Sequence, residues 1–247
     1  MPRSHAPDRP ARRLFGPEAF GFLRALARHN DRDWFTANRP RYEAAVRQPM
    51  LALVEEMDVR LASIAPEITG NPRRSMFRIH RDVRFSRDKS PYKTNAGCWF
   101  YHLDAGRGVG QDGEGGAGFY FHLEPGSCFV AGGIWMPGAP ALGKIRAALA
   151  EDPAGFGKMV GAKAFRRRYG RLDQEAMLTR LPRGYAPGHP AEEWLRHKSF
   201  TVSRALTPAM VTSARLPTLL AADFLALRPF VRWLNAALGL PAKTRRF

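Results

Sequence analysis

The stretch AGFYFHLEPGSCFVAGGIWM, residues 117–136, decides the fold. Both halves are rich in aromatic and β-branched residues, which predicts strands over about 117–124 and 127–136. The link Glu124-Pro125-Gly126-Ser127 is short and consists of turn-forming residues. A link of this length joins antiparallel neighbours, so the stretch is predicted to form a β-hairpin.

The segments on either side of this hairpin predict the rest of the architecture. Apolar spacing and capping signals predict helices on both sides, over about 17–29, 40–63, 139–151, 153–164, 190–197 and 217–238. Further strands are predicted over about 75–85, 95–103 and 199–206. Pro49 is expected to kink the second helix, and Asp31 lies in a capping stretch before Trp34 and Phe35.

This order of elements predicts the fold class and the domain organisation. Helices precede and follow the strands, and the sequence contains no repeat and no clear interdomain linker. We therefore predict one α+β domain over residues 14–240, a central antiparallel sheet packed with N-terminal and C-terminal helices. Residues 1–13 are predicted to be a disordered basic arm, and residues 241–247 a basic tail.

Composition narrows the class of protein. The chain has 247 residues, 39 of them Lys or Arg and 22 Asp or Glu, for a net charge of +17. Its 45% hydrophobic content is ordinary for a folded protein. With no apolar run of about 20 residues and no secretory signal, we expect a cytoplasmic protein without membrane contact. Cys98 and Cys128 are too few for a disulfide framework or a Cys-rich zinc module.

Residues 73–93 form one of several basic clusters and hold eight cations and only two acids. Strand alternation in this segment would place Ile79 and Val83 on one face and Arg78 and His80 on the other. Arg81 falls on the apolar face. Because an unpaired buried guanidinium is costly, we expect a bulge to redirect it or a carboxylate to meet it.

Guanidinium groups, an imidazole, a carboxylate and lysines at a strand end are suited to holding a phosphate or carboxylate. The segment is therefore predicted to be the centre of an anion-binding module. Its expected partner is a phosphorylated small molecule or nucleic acid. The predicted ligand-binding residues are Arg78, Arg81, Arg84, Arg87, Asp88, Lys89, Tyr92 and Lys93.

Two alternatives remain open for this segment. In the first, the protein is a hydrolase or transferase acting on a phosphorylated or acyl substrate, with Asp82 or His80 as general base and Arg84 stabilising developing charge. In the second, Asp82 and Asp88 hold the arginines in an ion-pair lattice that binds no ligand. An enzyme requires a concave pocket, whereas a flat basic face favours a polyanion.

No cofactor and no metal site are predicted, and the oligomeric state stays open. His80, His102 and His122 lie on three successive predicted strands, which in principle suits a three-histidine metal site. No H-x-H or H-E-x-x-H spacing supports such a site, so we interpret them as ordinary strand residues.

The segment FRIHRDVRFSRDKSPYKT, residues 77–94, resembles the signature of the domain of unknown function 2461 family. The resemblance extends over about residues 14–238. It includes GFYFHLEPG at 118–126, GGIW at 132–135 and LRP at 227–229. It implies a compact α+β domain and supplies no established reaction or catalytic residues. His80 stands where an aromatic such as Tyr is usual, which argues against a universal catalytic histidine there.

Overall fold

The centre of the fold is an antiparallel sheet of five strands. The computed structural model describes residues 13–84, 87–105 and 115–243. The strands are paired in chain order, each antiparallel to the next. They are β1 (Ile68–Thr69), β2 (Ala96–His102), β3 (Gly118–Leu123), β4 (Phe129–Ile134) and β5 (Phe200–Ala205).

The predicted hairpin is confirmed by β3 and β4. His122 pairs with Phe129 next to the turn, and Gly126 adopts a φ of 87° within it. Glycine reaches this left-handed region at little cost, which allows the tight reversal after Pro125. The α+β fold class is confirmed as well, because helices precede and follow the sheet.

The helices agree closely with the sequence prediction. They are α1 (Pro17–Arg28), α2 (Arg32–Tyr42), α3 (Gln48–Ile64), α4 (Ala139–Glu151), α5 (Pro153–Gly161), α6 (Lys163–Tyr169), α7 (Glu192–Leu195), α8 (Pro208–Val211) and α9 (Leu216–Ala237). The helix predicted over 153–164 ends earlier, at Gly161, and α6 follows it directly. Asp31 caps α2 as expected, its carboxylate accepting the amide hydrogen of Trp34 at 2.8 Å. None of the helices in the described ranges has the length and apolar character to cross a membrane.

The hydrogen bonding changes just before Pro49, the proline that is expected to kink the helix. A π-helical turn, Glu43–Arg47, joins α2 directly to α3, so the helix predicted from 40 begins earlier, at Arg32. Proline has no amide hydrogen to donate to the carbonyl four residues before it. The amide of Gln48 donates to Glu43 O, one residue further back than in an α-helix. The α-helical hydrogen-bond pattern is therefore interrupted in the turn that precedes Pro49.

The core lies between one face of the sheet and the helices. Phe119 of β3 stacks on Phe224 of α9 with ring centroids 4.5 Å apart, and Phe121 is also fully buried. Alternation along β3 turns Tyr120 and His122 to the opposite face. That face remains available for a cleft.

Buried ion pairs fasten α9 to the rest of the fold. Asp223 of α9 is fully buried and accepts hydrogen bonds from Arg168 of α6 and Arg204 of β5. Glu67, 1% exposed, pairs with Arg232 of α9 through both carboxylate oxygens, at 2.7 and 3.1 Å. Each buried carboxylate therefore has a guanidinium partner.

The strand predicted over 75–85 is wrong for the residues that the structure describes, 75–84. Met76 forms a single bridge with Cys98, and His80 forms another with Tyr92. The chain leaves the edge of β2 after Phe77, and its next part pairs with residues 91–93 instead. Pro91 has no amide hydrogen, which keeps this second pairing short. The predicted alternation still holds in burial: Ile79 is buried and His80 is exposed.

Most of the predicted N-terminal arm, residues 1–12, lies outside the described residues, as do residues 244–247 of the predicted tail. The described start of the tail, residues 241–243, lies against the end of β2. His102 Nε2 lies 3.1 Å from the carbonyl oxygen of Pro241, and Lys243 pairs with Asp104.

Candidate ligand-binding cleft

A cleft of about 1030 Å³ lies on the sheet face that points away from α9. Ligand sites for small molecules have volumes of this order. The floor consists of side chains and backbone from four strands, namely Gly97 and Trp99 of β2, Tyr120 and His122 of β3, Phe129 and Ala131 of β4, and Thr201, Ser203 and Ala205 of β5. Aromatic rings of β2, β3 and β4 thus lie beside small residues of β4 and β5.

Cations from the signature segment form one wall of the cleft. Arg78, Arg81 and Lys93 line it beside Phe77, whose amide donates to Gly97 O of β2 at 3.0 Å. The ammonium group of Lys93 lies 5.6 Å from the centre of the Phe77 ring, within reach of a cation–π contact. We call Arg78, Arg81 and Lys93 the cationic wall.

The expectation for Arg81 is met by a carboxylate. Asp88 pairs with its guanidinium, whose side chain is 28% exposed. The Nε atom of Arg81 is buried and has no hydrogen-bond partner among the described residues. The same is true of the indole nitrogen of Trp99 on the floor, a residue 7% exposed. Two buried donors of the cleft residues thus lack an acceptor.

The remaining predicted ligand-binding residues lie outside the cleft lining. Tyr92 is buried, with its ring stacked 4.1 Å from that of Phe35, and Lys89 donates to Val83 O at 2.9 Å. Arg87 is exposed. Asp88 orders the loop by accepting from the hydroxyl and the amide of Ser90, and these hydrogen bonds lower its pKa. The structure therefore divides the predicted set between the wall and its support.

The candidate general bases are also outside the cleft. His80 is exposed, and Asp82 is bound by both the guanidinium and the amide of Arg84. The hydrogen bonds from Arg84 lower the pKa of Asp82 to about 2, so this carboxylate is ionised and occupied at neutral pH.

A different set of polar side chains, joined by hydrogen bonds, runs along β3 on the floor of the cleft. The Tyr120 hydroxyl lies 2.9 Å from Nδ1 of His122, and Nε2 of His122 lies 3.0 Å from the Glu124 carboxylate. All partners are satisfied when Tyr120 donates to Nδ1 and the Nε2 hydrogen goes to Glu124. The imidazole stacks on Phe129 at 4.6 Å. A hydroxyl, a base and an orienting carboxylate in this order form a unit for proton transfer.

The space around the Tyr120 hydroxyl and its burial define its position and its protonation state. A Cβ on Gly97 would lie 2.3 Å from that hydroxyl, so only glycine leaves room for it. Burial raises the pKa of Tyr120, so the phenol keeps its proton at neutral pH.

Carboxylates stand on the wall beside β5. The amide of Asp173 donates to Thr201 O at 2.8 Å, and the Ser203 hydroxyl donates to its carboxylate at 3.2 Å. Glu175 follows it along the same wall. Burial raises the pKa of Asp173, and the charge of Glu175 raises it further. We call Asp173 and Glu175 the carboxylate wall.

Sequence reasoning missed most of these residues. Alternation could have found the shared face of Tyr120 and His122, because they are two positions apart on a strand. Nothing in the sequence marks Asp173, which lies in a loop. The structure does not bring the three histidines together: His80 is exposed, and His102 is fully buried next to Pro241. In the parts of the chain that the structure describes, no group of three or more His, Cys, Asp or Glu is placed to hold a metal.

Comparison with known proteins gives one match. No curated protein and no solved structure matches the chain. A family described as "Conserved hypothetical protein (DUF2461)" matches residues 18–233, which include every wall and floor residue of the cleft. This match covers most of the sequence and agrees with the resemblance of the signature segment. The chain therefore belongs to the DUF2461 family.

Proposed function

We propose that the protein binds a phosphorylated small molecule in this cleft, with the phosphate held by Arg78 and Lys93. The observation that carries the proposal is the position of these two cations on one wall of a cavity with an aromatic floor. Guanidinium and ammonium groups are the usual partners of phosphate. The aromatic floor provides apolar surface for the rest of the ligand.

The charges of the signature segment support this choice of residues. Asp82 binds Arg84, and Asp88 binds Arg81, so the two acids take up two guanidinium groups. Arg78 and Lys93 line the same wall of the cleft as Arg81. In this proposal the ion pair of Arg81 with Asp88 holds one member of the cationic wall, while Arg78 and Lys93 bind the phosphate.

The shape of the surface favours a small ligand over nucleic acid. The cations line one wall of a cleft, whereas a polyanion is bound best by a broad exposed face. A phosphate group can enter such a cleft together with the apolar part of a small ligand, which loses its water there.

Removing both cations is expected to weaken binding of inorganic pyrophosphate and of hexyl phosphate. In the Arg78→Ala, Lys93→Ala double variant, isothermal titration calorimetry should show a loss of at least about tenfold in affinity, since two charge-assisted contacts disappear. The matched control is Arg24→Ala, Arg28→Ala, which removes the same charge from exposed positions of α1 that do not line the cleft. Its affinity should equal that of the wild type.

Equal losses in both double variants would contradict the cleft as the binding site and indicate general attraction to a basic protein. Absence of binding by the wild type would favour the lattice alternative. A thermal unfolding curve for each variant shows whether the fold is intact.

A second candidate function, hydrolysis of a phosphate monoester, is favoured by the chain from Tyr120 through His122 to Glu124. Water would attack phosphorus and pass a proton through the Tyr120 hydroxyl to His122 Nδ1. The imidazolium of His122, hydrogen-bonded to Glu124, would then give that proton to the leaving oxygen as the bond between this oxygen and phosphorus breaks.

Hydrolysis predicts that the wild type releases phosphate from p-nitrophenyl phosphate. Tyr120→Phe should lower the rate by about 100-fold or more, because the relay is broken. Tyr185→Phe, a tyrosine outside the cleft, is the control. No release by the wild type, or equal rates in wild type and Tyr120→Phe, would exclude this candidate.

A further inference from the structure

The partly buried carboxylate of Asp173 lacks the arginine partner that the two buried acids have. Asp223 and Glu67 are each bound by arginine. Among the described residues, Asp173 forms no ion pair, and its side-chain hydrogen bonds come from the Thr201 and Ser203 hydroxyls.

The charged neighbours of Asp173 add to the demand for a cation. Glu175 raises its pKa by repulsion, and only His197 acts in the opposite direction through its charge. Two carboxylates at one place in a cavity favour a positively charged guest, because it relieves their mutual repulsion and their desolvation.

Sheet geometry sets the distance between the two walls. The cationic wall is attached to the edge of β2 through Phe77 and Gly97, and the carboxylate wall is attached to β5 through Asp173 and Thr201. Strands β3 and β4 lie between them, so the two attachment strands are about 14 Å apart. Side chains reach inward from both sides and shorten the distance that a ligand has to span.

The floor between the walls is largely apolar. The ring of Phe129, the methyl group of Ala131 and the backbone of Gly133 line its middle. This surface suits a hydrocarbon or aromatic connection between two polar ends.

We propose that the ligand of this cleft is elongated and carries a phosphate at one end and an ammonium group at the other, the ammonium bound by Asp173 and Glu175. This inference rests on the proposed phosphate site at Arg78 and Lys93 and adds the second recognition point. It requires a ligand long enough to reach both walls.

A series of synthetic ligands tests this inference. Aminoethyl, aminobutyl, aminohexyl and aminooctyl phosphate are compared by calorimetry with the alkyl phosphates of the same length. The two longest amines should bind at least about tenfold more tightly than their alkyl counterparts, since they add a charge-assisted contact. Aminoethyl phosphate should show no gain, because it cannot span the walls.

Variants of the carboxylate wall identify where the gain arises. Asp173→Asn and, separately, the exposed Glu175→Gln should reduce the advantage of the amine and leave the affinity for hexyl phosphate unchanged. Glu55→Gln, which changes an exposed carboxylate of α3, is the control and should retain the full advantage. Because Glu175 is exposed, its variant reports on binding even if Asp173→Asn weakens the fold.

The two proposals fail in different ways. Equal affinity of amino and alkyl phosphates at every length overturns the ammonium site and leaves the phosphate site standing. Lack of binding by pyrophosphate and by every alkyl phosphate overturns the phosphate site, and this inference with it. A gain that persists in both wall variants places the amine elsewhere and overturns the assignment to Asp173 and Glu175.

Discussion

Replacing Asp223 with alanine is expected to lower the free energy of unfolding by about 3–5 kcal/mol, which is the usual cost of breaking a buried ion pair. The carboxylate is fully buried and accepts from Arg168 at 2.7 Å and from Arg204 at 3.0 Å. It also accepts a hydrogen bond from the Tyr169 hydroxyl at 3.1 Å. Its loss would leave the two guanidinium groups without their carboxylate at the junction of α6, β5 and α9, while the Tyr169 hydroxyl keeps its bond to the Asp223 carbonyl.

Urea denaturation of wild type and variant measures this effect. Glu56→Ala is the control, because Glu56 pairs with Arg60 one turn along α3 and both side chains are substantially exposed. An exposed pair of this kind contributes about 1 kcal/mol or less. Similar losses in the two variants would show that burial adds nothing to the Asp223 cluster.

The contribution of Asp223 should depend on pH in a defined direction. Burial opposes ionisation, but the hydrogen bonds from Arg204 and Arg168 outweigh it and keep the pKa of Asp223 below its ordinary value. Folding therefore favours the charged form, and this stabilisation is complete above the ordinary aspartate pKa of about 3.9. It is lost as the pH falls through the lowered pKa. The gap in stability between wild type and Asp223→Asn should accordingly narrow under acid conditions.

The sheet and its helices could be predicted because their signals are local. Alternating aromatic residues and the turn at Pro125 and Gly126 specify the β3–β4 hairpin within a few residues. Residues 75–84 carry the same local signal, yet they pair with two different partners in turn. The choice between β2 and residues 91–93 depends on long-range geometry, which alternation does not contain.

The candidate site could be predicted only on one side. The cationic wall comes from a segment whose composition draws attention to it, and alternation correctly separates Ile79 from Arg78 and His80. Asp173 belongs to the same cleft only because β5 adds to the sheet beside β4. The buried ion pairs of Asp223 likewise join residues that are far apart in sequence. Arg168 and Asp223 are 55 positions apart, so no local pattern predicts their contact.

Replacing Gly133 with alanine is expected to destabilise the fold by about 3 kcal/mol or more, through backbone strain and a direct clash. Gly133 adopts a φ of 130° and is paired with Thr201 across the β4–β5 ladder. A Cβ at this position would lie 1.9 Å from the carbonyl oxygen of Phe200. Because that oxygen belongs to the backbone, only a displacement of β5 away from β4 could relieve the contact.

Two other glycines separate strain from clash in the same unfolding experiment. Gly126 has a φ of 87° and open space around it, so alanine there should cost only about 1 kcal/mol of strain. Gly143 lies within α4 with no neighbour near its Cβ position, and alanine should stabilise the protein by about 0.5–1 kcal/mol. A Gly133→Ala loss no larger than that of Gly126→Ala would mean that β5 yields at little cost. The carboxylate wall is attached to Thr201 of β5, so it would then be too mobile to hold an ammonium group at a fixed distance from Arg78. The stability of the β4–β5 pairing at Gly133 therefore bears directly on the ligand length that the cleft is proposed to select.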